Sequence, residues 1–205
     1  ADAGREKEIA AMGQVGANHI NPIAFFQKLD AYLQENSVLV ADGGDFVATA
    51  AYTLRPRRPL HWLDPGVFGT LGVGGGFALG AKMAAPGSEV WILYGDGSAG
   101  YSLQELDTFV RHGLPVIAVV GNDAGWTQIA RDQVAVLKDA VGTVLRRTDY
   151  HIVAEGFGAV GILVEHADQI EEALHRARSR AADGQAVLIN LIISPTDFRK
   201  GSISV

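Results

Sequence analysis

The sequence predicts an α/β domain: an open parallel sheet of about six strands with helices on both faces. Three observations carry that expectation. The apolar runs at 37–41, 89–94, 115–120, 160–164 and 186–193 do not alternate with polar residues, which is how strands buried on both faces read. Segments of helical spacing separate those runs, so the connections read as crossovers. Most of the 25 glycines cluster at the ends of apolar runs, where loops need their conformational freedom.

Bulk properties narrow the function classes. The chain has 205 residues, enough for one large domain with its own core. A net charge of −6 with no basic patch and no aromatic–basic interleaving argues against a nucleic-acid partner. Cysteine is absent, which excludes disulfides and thiolate metal sites. No apolar run reaches membrane-spanning length, because Gly95 and Asp96 end the one that starts at Val90.

Taken in order, residues 1–18 are polar, lack a signal-peptide core and read as a linker that enters a domain of 19–205 from something upstream. Asn21-Pro22 opens a helix whose apolar positions Ile23, Phe25, Phe26, Leu29 and Leu33 recur at helical spacing. The strand 37–41 runs into Asp42-Gly43-Gly44-Asp45, and a helix is expected over 48–52. Residues 55–65 are proline-rich and basic and read as an excursion around His61-Trp62-Leu63. The small residues of 69–85 predict a closely packed helix. Further helices are expected at 103–111, 131–137, 150–156 and 170–182, the last with a charged, solvated face.

Two strand ends carry the chemistry. The run 89–94 leads into Gly95-Asp96-Gly97-Ser98, and 115–120 leads into Gly121-Asn122-Asp123-Ala124. Residues 98–121 separate Gly97 from Asn122, room for one helix and one strand, so the two ends lie side by side where open parallel sheets bind ligands. The donor set suits a hard cation: a carboxylate from Asp96, an amide oxygen from Asn122 and a loop carbonyl near Ala124, with the remaining oxygens from a diphosphate and water. Gly95 and Gly97 let backbone amides approach phosphates. Ser98 is expected to cap the following helix, whose N-terminus favours an anion. GDGSAG also has the form of a dinucleotide fingerprint, and Asp123 stands near the place of a ribose-binding acid. Against that reading, Asp96 would face a pyrophosphate with a bare carboxylate unless a cation bridged them.

GDG followed by 24 residues (98–121) and Asn resembles the thiamine-diphosphate enzymes. The likeness runs from Asn21 to Val205 and is strongest to the acetolactate-synthase-like group that includes the 2-hydroxyacyl-CoA lyases, in particular the endoplasmic-reticulum type. It is carried by DGGDF (42–46), WLDPGVFGTLGVGGGFALGAK (62–82), the stretch 95–129 and TDFRKGSISV (196–205). Many relatives have Asn-Asn where this chain has Asn122-Asp123.

The resemblance implies thiamine diphosphate and Mg2+ as cofactors, with Asp96, Asn122 and the Ala124 carbonyl on the metal. It implies that the Gly69 carbonyl accepts a hydrogen bond from the aminopyrimidine and that Leu71 is the apolar wedge bending the cofactor. It places Gly44, Asp45 and the loop Trp126-Thr127-Gln128 near the diphosphate. No catalytic residue is expected in this chain, since the family's glutamate belongs to a separate pyrimidine-binding domain of the same or a second subunit. The implied state is a homodimer or homotetramer, with 72–76 and the region of Trp62 facing a partner. The implied substrate is a 2-hydroxyacyl-CoA or a 2-keto acid. The implied compartment is the cytoplasm in a bacterium, or the endoplasmic-reticulum membrane given an anchor elsewhere.

Read from the residues alone, Asp42 and Asp45 remain either turn formers or cofactor contacts. The six histidines show no metal spacing, and His61 alone lies near the GTLG segment. A non-catalytic cofactor-binding module remains open beside the enzyme.

Overall fold

The computed structural model describes residues 2–16 and 18–195. Six strands among them form one sheet: β1 (Ser37–Ala41), β2 (Trp62–Leu63), β3 (Glu89–Gly95), β4 (Val116–Asn122), β5 (Val160–Val164) and β6 (Val187–Ile192). Their order is β2-β1-β3-β4-β6-β5, and every pair is parallel. The expected open parallel α/β architecture is the one observed.

Alternation of side chains along each strand divides the core in two. Trp91 and Leu93 of β3, with Ile117 and Val119 of β4, pack beneath Phe25, Phe26, Leu29 and Phe46. Val90, Ile92 and Tyr94, with Val116, Ala118 and Val120, pack against Ala78, Ala99, Leu106 and Phe109 on the opposite face. The first layer belongs to helices α2 (Pro22–Tyr32), α3 (Asp45–Thr53) and α9 (Ile170–Ala182). The second belongs to α4 (Gly74–Ala84), α5 (Asp96–Ser102), α6 (Glu105–His112) and α8 (Tyr150–Gly156). Helix α7 (Thr127–Leu137) has no buried residue and lies over the strand ends. Among the described residues no helix is long and apolar enough to cross a membrane.

Several local expectations are corrected. The stretch read as a linker forms α1 (Asp2–Gly13), whose Ile9 is buried against Ile23. The excursion after α3 contributes β2, an edge strand of two residues paired with β1. The helix expected over 69–85 begins only at Gly74, because Gly69 and Gly72 hold φ of 56° and 86° and turn the chain. A helix that was not expected, α5, starts at Asp96 itself. Ser98 therefore lies inside it and caps nothing; the N-cap is Gly95, and the Ser98 hydroxyl donates to the carbonyls of Gly43 and Gly95. The segment 196–205 lies outside the described residues.

Glycine at the end of β4 sets how closely α3 approaches the sheet. A β-carbon on Gly121 would stand 2.3 Å from the Phe46 ring. Gly121→Ala is expected to destabilise the domain by about 1–3 kcal/mol through overpacking, read as a lower urea midpoint. An unchanged midpoint would mean that Phe46 and α3 move aside freely.

Candidate functional site

A cleft of about 330 Å³ opens at the carboxyl ends of β1, β3 and β4. Three helices present their N-termini to it: α3 through Gly44, Asp45 and Phe46, α5 through Gly95, Asp96, Gly97 and Ser98, and α7 through Trp126, Thr127, Gln128 and Ile129. Helix N-termini offer unpaired amides and a positive dipole end, so this arrangement attracts an anion. The glycines are required by close packing as well. A β-carbon on Gly97 would lie 2.7 Å from the Trp126 ring, and one on Gly95 would lie 3.0 Å from the Gly43 carbonyl.

The strand register brings the proposed cation donors together. Gly95 of β3 pairs with Gly121 of β4, and Asp96 and Asn122 are the next residue on each chain. Asp96 is 2 % exposed. Its carboxylate accepts from the amides of Gly97 (2.9 Å) and Gly125 (3.1 Å). Burial, and then the neighbouring Asp123 carboxylate, push its pKa up to about 7 against the opposing amide bonds. Asn122 is fully buried, and its Nδ2 donates to the Thr148 carbonyl (3.0 Å) and to Asn190 Oδ1 (3.1 Å). Its Oδ1 is buried without a hydrogen-bond partner, unlike other buried side-chain polar atoms among the described residues. A buried acceptor left alone is costly, and beside a buried carboxylate the natural complement is a cation.

The third expected donor, Ala124, has φ of 61°, a left-handed conformation rare outside glycine. Its carbonyl accepts from Leu145 N–H at 2.9 Å and keeps a second lone pair. Neither Ala124 nor Asn122 is on the cleft lining. No cluster of three His, Asp or Glu side chains able to hold a metal exists among the described residues. The cation fitted here would take part of its shell from an anionic ligand, as Mg2+ commonly does with phosphates.

The other anticipated residues separate into distinct roles. Gly44, Asp45, Gly69, Leu71, Gly95, Gly97, Ser98, Trp126, Thr127 and Gln128 all line the cleft. Asp45 accepts two bonds from the Arg131 guanidinium, at 2.8 and 3.3 Å, so its charge at the rim is matched. Asp42 turns out to serve the 69–74 segment: its carboxylate accepts from the amides of Gly72 (2.9 Å) and Gly74 (2.6 Å). It thereby fixes the loop that carries Leu71, whose methyl sits where a Gly43 β-carbon would be. Burial raises the Asp42 pKa, and that of Asp123, whose carboxylate accepts from the Thr127 hydroxyl. His61 is not on the lining; its ring bonds the Ser37 carbonyl at the opposite end of β1.

The sequence reading missed Thr148, Tyr150, Arg131 and Asn190. Tyr150 donates its hydroxyl to the Asp96 carbonyl at 3.0 Å. Asn190 had one signal, a lone amide in the otherwise apolar run of β6.

The chain matches the thiamine pyrophosphate enzyme, C-terminal TPP binding domain over residues 42–191. It is 57% identical over 189 residues to 2-hydroxyacyl-CoA lyase 2 of Danio rerio, covering 91% of this chain and 30% of that protein. It is 36% identical over 178 residues to the acetolactate synthase large subunit of Mycobacterium tuberculosis, covering 86% of this chain and 32% of the relative. In structure it resembles the thiamine diphosphate-dependent 4-hydroxybenzoylformate decarboxylase of Rhodococcus jostii RHA1, with a TM-score of 0.78 at 23% identity, over 89% of this chain and 34% of that one. The chain thus spans about a third of the length of these proteins.

Proposed function

This chain belongs to the thiamine pyrophosphate enzymes, as their C-terminal cofactor-binding domain, and from that premise we propose that it grips the cofactor's diphosphate through Mg2+ within a 2-hydroxyacyl-CoA lyase. One observation supports the metal most directly: the partnerless Asn122 oxygen next in register to the buried Asp96 carboxylate. Asp96 would supply charge to the cation, Asn122 an amide oxygen, and Ala124 a backbone carbonyl. The N-termini of α3, α5 and α7 would receive the phosphates. Leu71, held through Asp42, would set the bend of the cofactor, and the Gly69 carbonyl would receive its aminopyrimidine. When bound, thiamine diphosphate supplies the electron sink for breaking a carbon–carbon bond beside a hydroxyl-bearing carbon.

The proposed reaction splits the C1–C2 bond of a 2-hydroxyacyl-CoA. The C2 carbon leaves as an aldehyde and C1 becomes formyl-CoA, with the hydroxyl proton balanced by the new formyl hydrogen. The likeness to a 2-hydroxyacyl-CoA lyase supports this substrate over a 2-keto acid. Acetolactate formation from pyruvate is the second reading, favoured by the weaker likeness to an acetolactate synthase. A pyrimidine-binding domain, from the same subunit or a second one in a homodimer or homotetramer, would cover the open side of the cleft. Val67 and Phe68 stand beside it, 85% and 88% exposed. Gly74 and Gly75, however, are buried within this fold, so Gly76 is the exposed member of the 72–76 stretch.

A substrate panel on the full-length enzyme carrying this domain separates the readings. Aldehyde and formyl-CoA are expected from 2-hydroxyacyl-CoAs, with little turnover of pyruvate. Strong acetolactate production without lyase activity would defeat the lyase reading. Cofactor binding with no turnover of any substrate would favour a non-catalytic module.

A further inference from the structure

We propose that Asn190, in the middle of β6, is a positioning residue that, together with the Thr148 carbonyl, holds the Asn122 amide so that its oxygen is the end left for the cation. The inference rests on the reading of Asn122 as a metal donor. Asn190 is fully buried, and it stands in an otherwise apolar strand where a buried amide needs a reason.

Which atom of an amide is oxygen follows from its hydrogen bonds. Here one group settles both side chains. The Thr148 carbonyl can only accept, and it lies 3.0 Å from Asn122 Nδ2 and 3.3 Å from Asn190 Nδ2. Both amides must therefore turn their nitrogens toward it. Asn190 Oδ1 is then the atom that faces Asn122, and it takes the second Nδ2 proton at 3.1 Å. With both of its protons engaged, the Asn122 amide cannot rotate without losing two bonds, and its Oδ1 is the end left without a partner. Asn190 is itself held by His151, whose Nδ1 lies 3.3 Å from Asn190 Nδ2 and accepts from it in the Nε2–H tautomer. The chain of contacts runs from α8 through β6 to the end of β4, so the proposed donor atom is oriented by groups that do not line the cleft. Partners of this kind commonly govern metal affinity by 10–100-fold.

The test is a Mg2+ titration of thiamine diphosphate binding to the full chain, followed by calorimetry, beside thermal melts of each metal-free protein. Asn190→Leu is expected to raise the half-saturating Mg2+ concentration roughly 10–100-fold, beside a modest fall in the metal-free melting temperature from the lost bonds to Asn122, Thr148 and His151. Asn122 keeps its bond to Thr148 in that variant but loses the acceptor of its second Nδ2 proton, so its amide is no longer held by two bonds. Asn190→Ala, which removes the same acceptor and cannot overpack, should show the same rise. The decisive arm is the Asn122→Ala background. There Asn190→Leu should add no further loss, because its effect passes through the Asn122 oxygen. Additive losses would overturn the proposal, and so would a fall in melting temperature with an unchanged Mg2+ response. If wild-type binding ignored Mg2+ altogether, the metal reading and this inference would fall together. Metal dependence in the wild type with no change in the Asn190 variants would defeat this inference alone.

Discussion

Asp96→Ala is expected to abolish Mg2+-dependent binding of thiamine diphosphate. Asp96 is the charged member of the donor set, and without it the diphosphate meets a cleft that holds the Asp123 and Asp45 carboxylates. Calorimetry on the variant, and on wild type with chelator, should give the same flat titration. Retained affinity in either would sink the metal reading. In the metal-free fold the Asp96 carboxylate makes stability depend on pH. The Asp96 pKa, about 7 when folded, stands above that of an unfolded aspartate near 3.9. Between those values the folded state holds the proton and the unfolded state does not. Stability therefore falls as pH rises from about 4 to 7 and levels off beyond, by roughly 4 kcal/mol for this group alone. Asp42 and Asp123, also raised by burial, slope the same way. Urea unfolding of the metal-free chain across that range should show the decline, and Asp96→Ala should flatten it.

These 205 residues alone, saturated with cofactor, Mg2+ and substrate, are expected to show no measurable turnover. The resemblance to the thiamine-diphosphate enzymes implies that the activating glutamate belongs to a separate pyrimidine-binding domain, and the described residues lining this cleft offer no glutamate in its stead. The cleft also opens to solvent beside the exposed Val67 and Phe68, whereas the chemistry needs water excluded. Adding a pyrimidine-binding domain should restore activity. Turnover by the chain alone, comparable to that of a full-length relative, would show the active site to be complete here.

Continuous apolar runs made β1, β3, β4, β5 and β6 legible, because burial on both faces leaves an unmistakable trace in sequence. The two residues proposed as metal donors, Asp96 and Asn122, stood out for the same reason, each falling at the end of such a run. Helix α5 was not, since Gly97 and Gly100 disfavour a helix; it forms because Ser98, Ala99 and Ser102 are buried against the strand ends. Edge strand β2 has only two residues and no pattern to read. Asp42 read as either a turn former or a cofactor contact, and only the fold shows that its partners are Gly72 and Gly74, about thirty positions on. Thr148 was silent and Asn190 showed only as a lone amide in an apolar run, because their meaning lies in contact with Asn122, 26 and 68 positions away.

The strand order carries a consequence for biosynthesis. β4, which ends in Asn122, pairs on one side with β3, already synthesised, and on the other with β6, whose first residue is 65 positions beyond that asparagine (187 − 122). On the ribosome the strand must wait for β5 and its helix to emerge before its second edge is covered. Through that interval a nascent chain presents an apolar, unpaired edge of the kind that recruits chaperones or neighbouring chains. Asn190 arrives with β6, so on the proposed reading the oxygen of Asn122 is held in place only once β6 has docked. A chain truncated or stalled before β6 would thus hold Asp96 and Asn122, the proposed donors, without the contacts that orient the second.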